Sequence, residues 1–294
     1  MTAKKKNPGL TIVLPIFNEE LVAREVIERL QAVCREIPLE SEILVVDDGS
    51  TDATPRILSQ IKGITILRHD QNFGEGAARK TGTKAAKYDL VATTDADGTY
   101  PETPLIEMLG YFPEYDMVVG ARTKEAGTLR LLRWLVKEFI RRLASYISGY
   151  NIPDLNSGLR IYKKELALKF FNILPDGHSL VSTITLAFFS NNYRVKYVDI
   201  DYFPRQGRSS FHPIKDTYAY LMLVLRTMMY FQPLKVFMPI SLFLLVGGSL
   251  RTIYDAKWLH HVKESDIMIV LTGILIGVLG LLADLIVRTS APRD

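Results

Sequence analysis

The sequence has little cysteine and no recognisable export signal. Cys34 is the only cysteine among 294 residues, which excludes an internal disulfide and a zinc cluster of several thiolates, and agrees with a reducing compartment. The apolar stretch within residues 1–15 is too short for a signal peptide and lacks a cleavage site. We therefore expect the large N-terminal part to be cytoplasmic. The net charge of +4 is modest, and we expect no nucleic-acid partner.

Charged residues are scarce in two C-terminal stretches. Residues 236–250 carry no charged side chain, and residues 267–287 carry only Asp284. The second stretch is long enough to cross about 30 Å of hydrocarbon, whereas the first, which contains Pro239, needs flanking residues or tilt. A buried globular hairpin is the alternative. We expect two transmembrane helices, which predicts a multi-pass protein of the cell membrane with both termini on one side of the lipid bilayer.

The glycine fingerprints of common nucleotide sites are also absent. Residues 72–82, NFGEGAARKTG, open a predicted helix but contain neither G-x-G-x-x-G nor a G-K-[ST] ending. A Rossmann cofactor site and a P-loop are therefore not supported. A phosphate cradle at the helix start and close packing of the helix on the sheet both remain as explanations of these glycines.

Residues 9–122 do contain an alternation of apolar strands and helices. The predicted strands are LTIVLPIF, EILVVDD, ITILRH, DLVATTD and DMVVGAR, with helices over residues 19–36, from a cap at 50–52 to 61, and over 76–87. This alternation predicts an α/β fold with a mostly parallel sheet flanked by helices. Ligands of such sheets bind beyond the carboxyl ends of the strands. We therefore expect one crevice, lined by the polar groups that follow the five strands: Asn18, Glu19, Asp47, Asp48, Arg68, His69, Asp95, Asp97 and Arg122.

Asp95 and Asp97 stand one residue apart where the fourth predicted strand ends. Their repulsion is tolerable where a divalent cation lies between them and an anionic ligand, and hard carboxylate oxygens suit Mg²⁺ or Mn²⁺. An isolated D-x-D is by default a solvated turn, but this one follows a buried strand and precedes GTYP. We predict that both aspartates are metal ligands. Asp47 and Asp48 can accept hydrogen bonds from a nucleobase or ribose, or cap the next helix.

Four motifs in this order resemble the family 2 glycosyltransferases of the GT-A fold. They are PIFNEE (15–20), VVDDGSTD (45–52), NFGEGAA (72–78) and DADGTYPE (95–102), and the resemblance extends over about residues 10–230. It implies a nucleotide-diphosphate sugar donor, with base and ribose near Pro15, Glu19 and Asp48 and the metal at Asp97. The complete predicted donor site is Pro15, Asn18, Glu19, Asp47, Asp48, Gly76, Asp95 and Ala96.

Two later motifs indicate which class of acceptor substrate the chain uses. NSGLRIYKKE (156–165) and YRVKYVDIDYFPRQGRSSFHPIKD (193–216) resemble the branch that glycosylates polyprenyl or dolichyl phosphate. The resemblance implies that Arg205 and the loop after it lie near the donor or the lipid phosphate, although Ser210 replaces the lysine usual in that loop. The predicted acceptor-phosphate contacts are Arg122, Arg130, Arg133, Ser157, Arg205 and Arg208, and the predicted catalytic residues are Asp95, Asp97, Arg122 and Arg205.

Two further segments are predicted to lie at the membrane interface. Residues 128–150 form a basic amphipathic helix with a tryptophan, and residues 213–232 form a second helix that leads into the first span. An ordinary surface helix is the alternative for the first of them. We thus predict a nucleotide-sugar-binding half (1–127), an acceptor half (128–232) and a two-helix membrane anchor (233–294).

The acceptor also follows from the chemistry of proton transfer. Hydroxyl-acceptor relatives place an acid in the region that here reads GHSLVSTITL (177–186), which contains none, and only His178 could substitute. A lipid phosphate is already ionised and needs cations instead. We expect inverting transfer of one hexose, from a GDP-mannose or UDP-glucose type of donor, to polyprenyl or dolichyl phosphate at the cytoplasmic face. The alternatives are a processive or hydroxyl-acceptor enzyme and a non-catalytic membrane adaptor, and a homo-oligomer stays open.

Overall fold

The computed structural model describes residues 7–122, 142, 145–146, 149–177, 179–204, 222, 225–226 and 229–290. The chain divides into two compact units, Met1–Tyr220 and Leu221–Asp294. The predicted division at 127/128 and 232/233 is a functional one and stays a prediction. The predicted interfacial helices over 128–150 and 213–232 lie mostly outside the described residues.

The first unit contains a seven-stranded mixed sheet. The strands are β1 Leu10–Ile16, β2 Ser41–Asp47, β3 Thr65–Arg68, β4 Leu90–Thr93, β5 Met117–Arg122, β6 Arg160–Lys163 and β7 Val195–Ile200, in the spatial order β3-β2-β1-β4-β6-β5-β7. Only β6 is antiparallel to its neighbours. All five predicted strands are present and share one direction, which confirms the α/β fold with a mostly parallel sheet. β6 and β7 were not predicted as strands.

The helices of this unit are short to modest in length. They are α1 Ala23–Glu36, α2 Thr54–Leu58, α3 Glu75–Ala85, α4 Pro104–Leu109, α5 Lys164–Leu168 and α6 Leu180–Ser190. The predicted start of α1 at residue 19 is wrong, because the helix begins at Ala23 and Glu19 lies in the loop before it, where its N–H donates to Oγ1 of Thr54 at 3.0 Å. The predicted extension of α2 to residue 61 is also wrong. The helix ends at Leu58, and Asp52 lies just before its N-cap Ala53, where Oδ1 of Asp52 accepts the N–H of Thr54 at 2.9 Å.

The second unit is a helical hairpin. Helix α7, Leu234–Tyr254, continues into a π-helix over Asp255–Leu259, and α8 spans Glu264–Ser290. Ser241 Oγ donates to the carbonyl of Gly273 at 2.7 Å, and Arg251 Nε lies 2.9 Å from Oδ1 of Asp266. Leu234–Leu259 and Glu264–Val287 have mean hydropathies of 1.7 and 2.5 and are long and apolar enough to cross a membrane. The two predicted spans are therefore present as candidate spans.

Candidate active site at the carboxyl edge of the sheet

The carboxyl ends of β1 to β5 meet at one edge of the sheet because these strands share one direction. Strand β6 runs the opposite way, so the segment before it, residues 154–158, reaches the same edge. Arg160, the first residue of β6, lies opposite Thr93 of β4 and Val119 of β5. The predicted convergence of strand ends is thus present, and residues 154–158 join it without having been predicted as strand-edge neighbours.

Asp95, just past β4, is seated between a buried arginine and a glycine. Its Oδ1 accepts a hydrogen bond from Nη2 of Arg79, whose side chain is 1% exposed. Its carboxylate also packs on Gly158, where a Cβ would come within 2.5 Å of Oδ1. Arg79 Nε and Nη2 donate to Oε1 of Glu75 at 2.9 and 2.7 Å. One guanidinium therefore holds two carboxylates in place.

The electrostatics of this cluster favour a further cation. Burial and, after it, the charge of Glu75 raise the pKa of Asp95 while Arg79 lowers it, and the net result is a pKa of about 7. Asp97 adds to the rise as a third carboxylate. Burial would lower the pKa of Arg79, but Glu75 and Asp95 outweigh it and hold that pKa above the ordinary value. Three carboxylates against one guanidinium leave an excess of negative charge.

Asp97 lies half-buried on the turn that follows. Its Oδ1 accepts hydrogen bonds from the backbone N–H of Thr99 at 3.1 Å and from the Thr99 hydroxyl at 2.7 Å. Gly98 has a φ of 72°, a left-handed conformation that favours glycine. Tyr100 Oη accepts a hydrogen bond from the N–H of Gly158 at 2.9 Å. The turn is thus tied to the segment before β6, which fixes the relative position of the two aspartates.

The residues of this turn fit a divalent cation. In the part of the chain that the structure describes, no three His, Cys, Asp or Glu side chains form a ready-made metal cage. Two hard carboxylates in an excess of negative charge suit Mg²⁺ or Mn²⁺, which complete their coordination with water and phosphate oxygens. The metal role of Asp95 and Asp97 stays a prediction.

Asp48, at the end of β2, holds a loop. Its side chain is 3% exposed, and its Oδ1 lies 2.6 Å from Nδ1 of His69. Oδ1 also accepts the N–H of Phe73 at 3.0 Å, and Oδ2 accepts the N–H of Gly74 at 2.8 Å. His69 Nε2 lies 3.0 Å from Oγ1 of Thr81, so the chain of contacts reaches α3. The carboxylate therefore orders residues 69–74, and its contact with a donor stays a prediction.

The remaining predicted donor residues lie along the same edge. Pro15 is in β1, opposite Val46 of β2. Asn18 Oδ1 accepts the N–H of Thr51 at 2.8 Å, and Asp47 Oδ1 accepts the N–H of Ser50 at 2.9 Å. Glu19 lies in the same loop as Asn18, and Ala96 is buried between the two aspartates of the turn. The structure brings these residues together without testing their contact with a ligand.

Close packing explains two glycines of α3, one in its first turn and one near its end. A Cβ at Gly76 would lie 2.6 Å from the carbonyl oxygen of Gly177, and a Cβ at Gly82 would lie 2.3 Å from Cγ1 of Val13 in β1. The N–H of Ala77 donates to the carbonyl of Asp176 at 2.9 Å. The helix therefore packs on a later loop as well as on the sheet. The phosphate cradle and the donor role of Gly76 stay predictions.

Two of the predicted acceptor residues are described. Arg122, the last residue of β5, donates from Nε and Nη2 to the two carboxylate oxygens of Asp154 at 2.7 and 2.9 Å. Burial raises the pKa of Asp154, but the contacts with Arg122 outweigh it and hold that pKa below the ordinary value. Ser157 is fully buried, and no described residue hydrogen-bonds its Oγ. Its carbonyl accepts Nε of Arg160 at 3.2 Å.

Other predicted residues lie outside the described part of the chain. These are Arg130, Arg133, Arg205 and Arg208, with the loop residues His178 and Ser210. Five further residues at this edge were not predicted, namely Glu75, Arg79, Asp154, Gly158 and Arg160. Only the first pair carried a usable signal. Glu75 and Arg79 are four residues apart at the start of a predicted helix, the spacing at which opposite charges pair.

Two family models match the chain. One, described as Glycosyl transferase family 2, matches residues 11–171, and one described as GtrB C-terminal hairpin matches residues 232–289. Undecaprenyl-phosphate 4-deoxy-4-formamido-L-arabinose transferase of Pectobacterium atrosepticum is 26% identical in an alignment of 267 positions that covers 85% of this chain and 79% of that protein. Dodecaprenyl-phosphate galacturonate synthase of Rhizobium johnstonii is 30% identical in an alignment of 182 positions that covers 58% of this chain and 52% of that protein. The chain thus spans about half of some curated relatives and more of others.

Among solved structures, the chain is similar to glucosyl-3-phosphoglycerate synthase from Mycobacterium tuberculosis. The crystal structure of that enzyme with Mn²⁺, UDP-glucose and phosphoglyceric acid matches with a TM-score of 0.59 and 19% identity, over 75% of this chain and 79% of the other. At this identity the likeness concerns the fold, and it confirms the predicted GT-A architecture.

Proposed function

The chain belongs to glycosyl transferase family 2, and we propose that it transfers a single hexose, with inversion, from a nucleotide-diphosphate sugar to a polyprenyl phosphate. Family membership confirms the resemblance carried by the four N-terminal motifs. The observation that carries the reaction is the turn at the carboxyl edge of the sheet with two carboxylates, Asp95, which buried Arg79 holds, and Asp97. The acceptor is supported by the relatives named for undecaprenyl- and dodecaprenyl-phosphate products and by the matched hairpin.

On the donor side, Asp97 and Asp95 would hold Mg²⁺ or Mn²⁺. When bound, the cation stabilises the negative charge that develops on the departing nucleotide diphosphate. Arg79 keeps Asp95 in place, and the turn hydrogen bonds of Thr99 keep Asp97 in place. The base and ribose would lie towards β1 and β2, near Pro15, Asn18, Glu19 and the loops that Asp47 and Asp48 hold. Gly76 would lie by the phosphates, and Ala96, between the two aspartates, would contact the donor.

On the acceptor side, a lipid phosphate oxygen attacks the anomeric carbon while the bond from that carbon to the diphosphate oxygen breaks. An ionised phosphate needs no general base, and α6, Leu180–Ser190, contains no acidic side chain in the stretch LVSTITLAFFS. The phosphate needs positive charge and positioning. We assign this task to Arg122 together with Arg130, Arg133, Arg205 and Arg208, with Ser157 at the same edge.

We further propose that the reaction takes place at the cytoplasmic face of the membrane. The two candidate spans would anchor the chain. The basic segment 128–150 and the segment 213–232 would lie at the headgroup level, where lysine and arginine attract anionic lipids. A polyprenyl phosphate carries its phosphate at the same level, so an anchored domain would meet it there.

A donor panel tests this proposal. The full-length protein in lipid vesicles with polyprenyl phosphate is incubated with radiolabelled GDP- and UDP-sugars, with Mn²⁺, Mg²⁺ or chelator. We expect label from one donor to enter the lipid phase only when metal is present, and Asp97→Asn to abolish it. Label in a polymer would support a processive synthase instead. Absence of any donor turnover, including hydrolysis, would support the adaptor alternative.

A further inference from the structure

Arg122 is held on two of its sides by Asp154. Its Nε and Nη2 donate to the two carboxylate oxygens at 2.7 and 2.9 Å, and its backbone N–H donates to Oδ2 at 3.2 Å. The two side chains are 13% and 8% exposed. A two-point contact between a planar guanidinium and a carboxylate fixes orientation as well as distance. Arg122 is therefore preorganised before any ligand arrives.

A tyrosine covers the face of the same guanidinium. The Tyr202 ring centroid lies 5.1 Å from the central carbon of Arg122, within cation–π range. Tyr202 also packs edge-to-face on Tyr100, with the ring centroids 5.2 Å apart. The next residue, Phe203, donates its N–H to the carbonyl of Thr99 at 2.9 Å. Through these contacts, the orientation of the Arg122 guanidinium is coupled to the turn that carries Asp97.

These contacts leave one edge of the guanidinium for a ligand. No described residue accepts a hydrogen bond from Nη1 of Arg122. We propose that Asp154 is a positioning residue for the acceptor, which holds Arg122 so that this edge donates to the lipid phosphate, and that Tyr202 keeps the guanidinium plane in register with the Asp97 turn. This inference rests on the proposed function and assigns to Asp154 and Tyr202 roles that act through Arg122.

The Arg122–Asp154 ion pair is close to neutral as a whole, which decides how it acts on an anionic ligand. Asp154 neutralises most of the charge of Arg122, so the pair attracts anions weakly at long range and contributes mainly direction at short range. The loss of Asp154 should therefore impair acceptor use rather than donor use. A second ion pair serves as a matched control. Asp116 lies 2.6 Å from Nζ of Lys163 and directly precedes the opposite end of β5, away from the site.

The test is a kinetic split combined with a double-mutant cycle in the full-length protein. Asp154→Asn removes the negative charge. Asp154→Glu keeps the carboxylate, and with it the buried ion pair that the fold requires, but moves the guanidinium. We expect both to lower kcat/KM for polyprenyl phosphate by about tenfold or more. The donor KM and the affinity for nucleotide diphosphate should stay within about twofold of wild type. The control Asp116→Asn should leave kcat/KM for polyprenyl phosphate, the donor KM and the affinity for nucleotide diphosphate within about twofold of wild type.

In an Arg122→Lys background, the addition of Asp154→Asn should lower kcat/KM for polyprenyl phosphate by less than about twofold. The reason is that Arg122, the residue through which Asp154 acts, is already altered. Tyr202→Leu, which keeps bulk without the π face, should lower the same acceptor constant by a smaller factor than Asp154→Asn. An equal loss from Asp154→Asn in both backgrounds, or a parallel loss of donor affinity, would overturn the positioning role. If the wild-type protein transfers label from no donor to the lipid, the proposed function is refuted, and the positioning role of Asp154 is refuted with it.

Discussion

Two neighbouring regions of the sheet edge use aspartates in different ways. On the β2–β3 side, Asp48 is 3% exposed and meets backbone N–H groups and a histidine, all of which belong to the fold. On the β4–β6 side, Asp95 is 29% exposed and meets a buried arginine with another carboxylate beside it. A carboxylate saturated by backbone donors stabilises a loop, whereas one in an excess of negative charge retains capacity for a cation. We therefore expect substitution of Asp48 to affect mainly stability, and substitution in the Asp95 turn to affect mainly metal binding and turnover.

The largest expected effect is at Asp97. Asp97→Asn keeps the shape of the turn, because an amide oxygen can still accept from Thr99, but it removes a charged metal ligand. We expect sugar transfer to fall by about 100-fold or more and Mn²⁺ binding, followed by calorimetry, to weaken in parallel. Asp97→Asn with near-normal Mn²⁺ affinity and turnover would place the metal elsewhere.

Gly158→Ala tests the seat of Asp95. The new Cβ would lie 2.5 Å from Oδ1 of Asp95, so this side chain must rotate away from Arg79. Displacing a group that orients a metal ligand typically costs about tenfold in affinity or activity, and we expect that loss in Mn²⁺ affinity and in turnover. Gly247→Ala in α7 is the control, because its Cβ would meet nothing within 4 Å. Equal behaviour of the two variants would remove Gly158 from the site.

The dependence of metal binding on pH tests the raised pKa of Asp95. In the metal-free chain the pKa of this carboxyl is raised from 3.8 to about 7, so its proton persists to near neutrality and must leave when metal binds. Mn²⁺ affinity should therefore fall as the pH drops below 7, by about tenfold per unit for one displaced proton. The same shift makes the metal-free fold lose stability as the pH rises from 3.8 towards 7. Asp95→Asn should flatten the affinity profile in this interval, and a steep residual slope would point to another group.

The smallest expected effect on turnover is at Asp48. Asp48→Asn places an amide NH₂ against a backbone N–H of Phe73 or Gly74, so one hydrogen bond is lost and a donor is left facing a donor. We expect a destabilisation of about 1–3 kcal/mol, measured as a lower thermal midpoint at a fixed scan rate, with kcat within about threefold of wild type. A strongly raised donor KM at an unchanged thermal midpoint would show that Asp48 contacts the donor and would reverse the comparison.

Much of the fold was predictable because local patterns encode burial. The apolar runs of β1, β2 and β4, and the spacing of Val26, Leu30 and Val33 on α1, identify elements that bury one or both faces. The start of α1 was misplaced because the loop before it bonds to a distant part of the chain, with the N–H of Glu19 donating to Oγ1 of Thr54, the first residue of α2. β6 escaped prediction because it has only four residues, of which Arg160 and Lys163 are charged. Its identity as a strand comes from pairing with β4 and β5 on either side.

The sequence by itself determined the alternation of strands and helices, the placement of Asp95 and Asp97 past a buried strand, and the two long apolar segments near the C-terminus. These features depend on periodicity and composition, which neighbouring residues express without reference to the rest of the chain. Only the tertiary structure decided which partners the charged groups take. Arg122 reaches Asp154, and Gly158 reaches Asp95, because β6 inserts between β4 and β5. Strand order depends on long-range pairing, and a buried ion pair depends on that order, so neither is written in the local pattern.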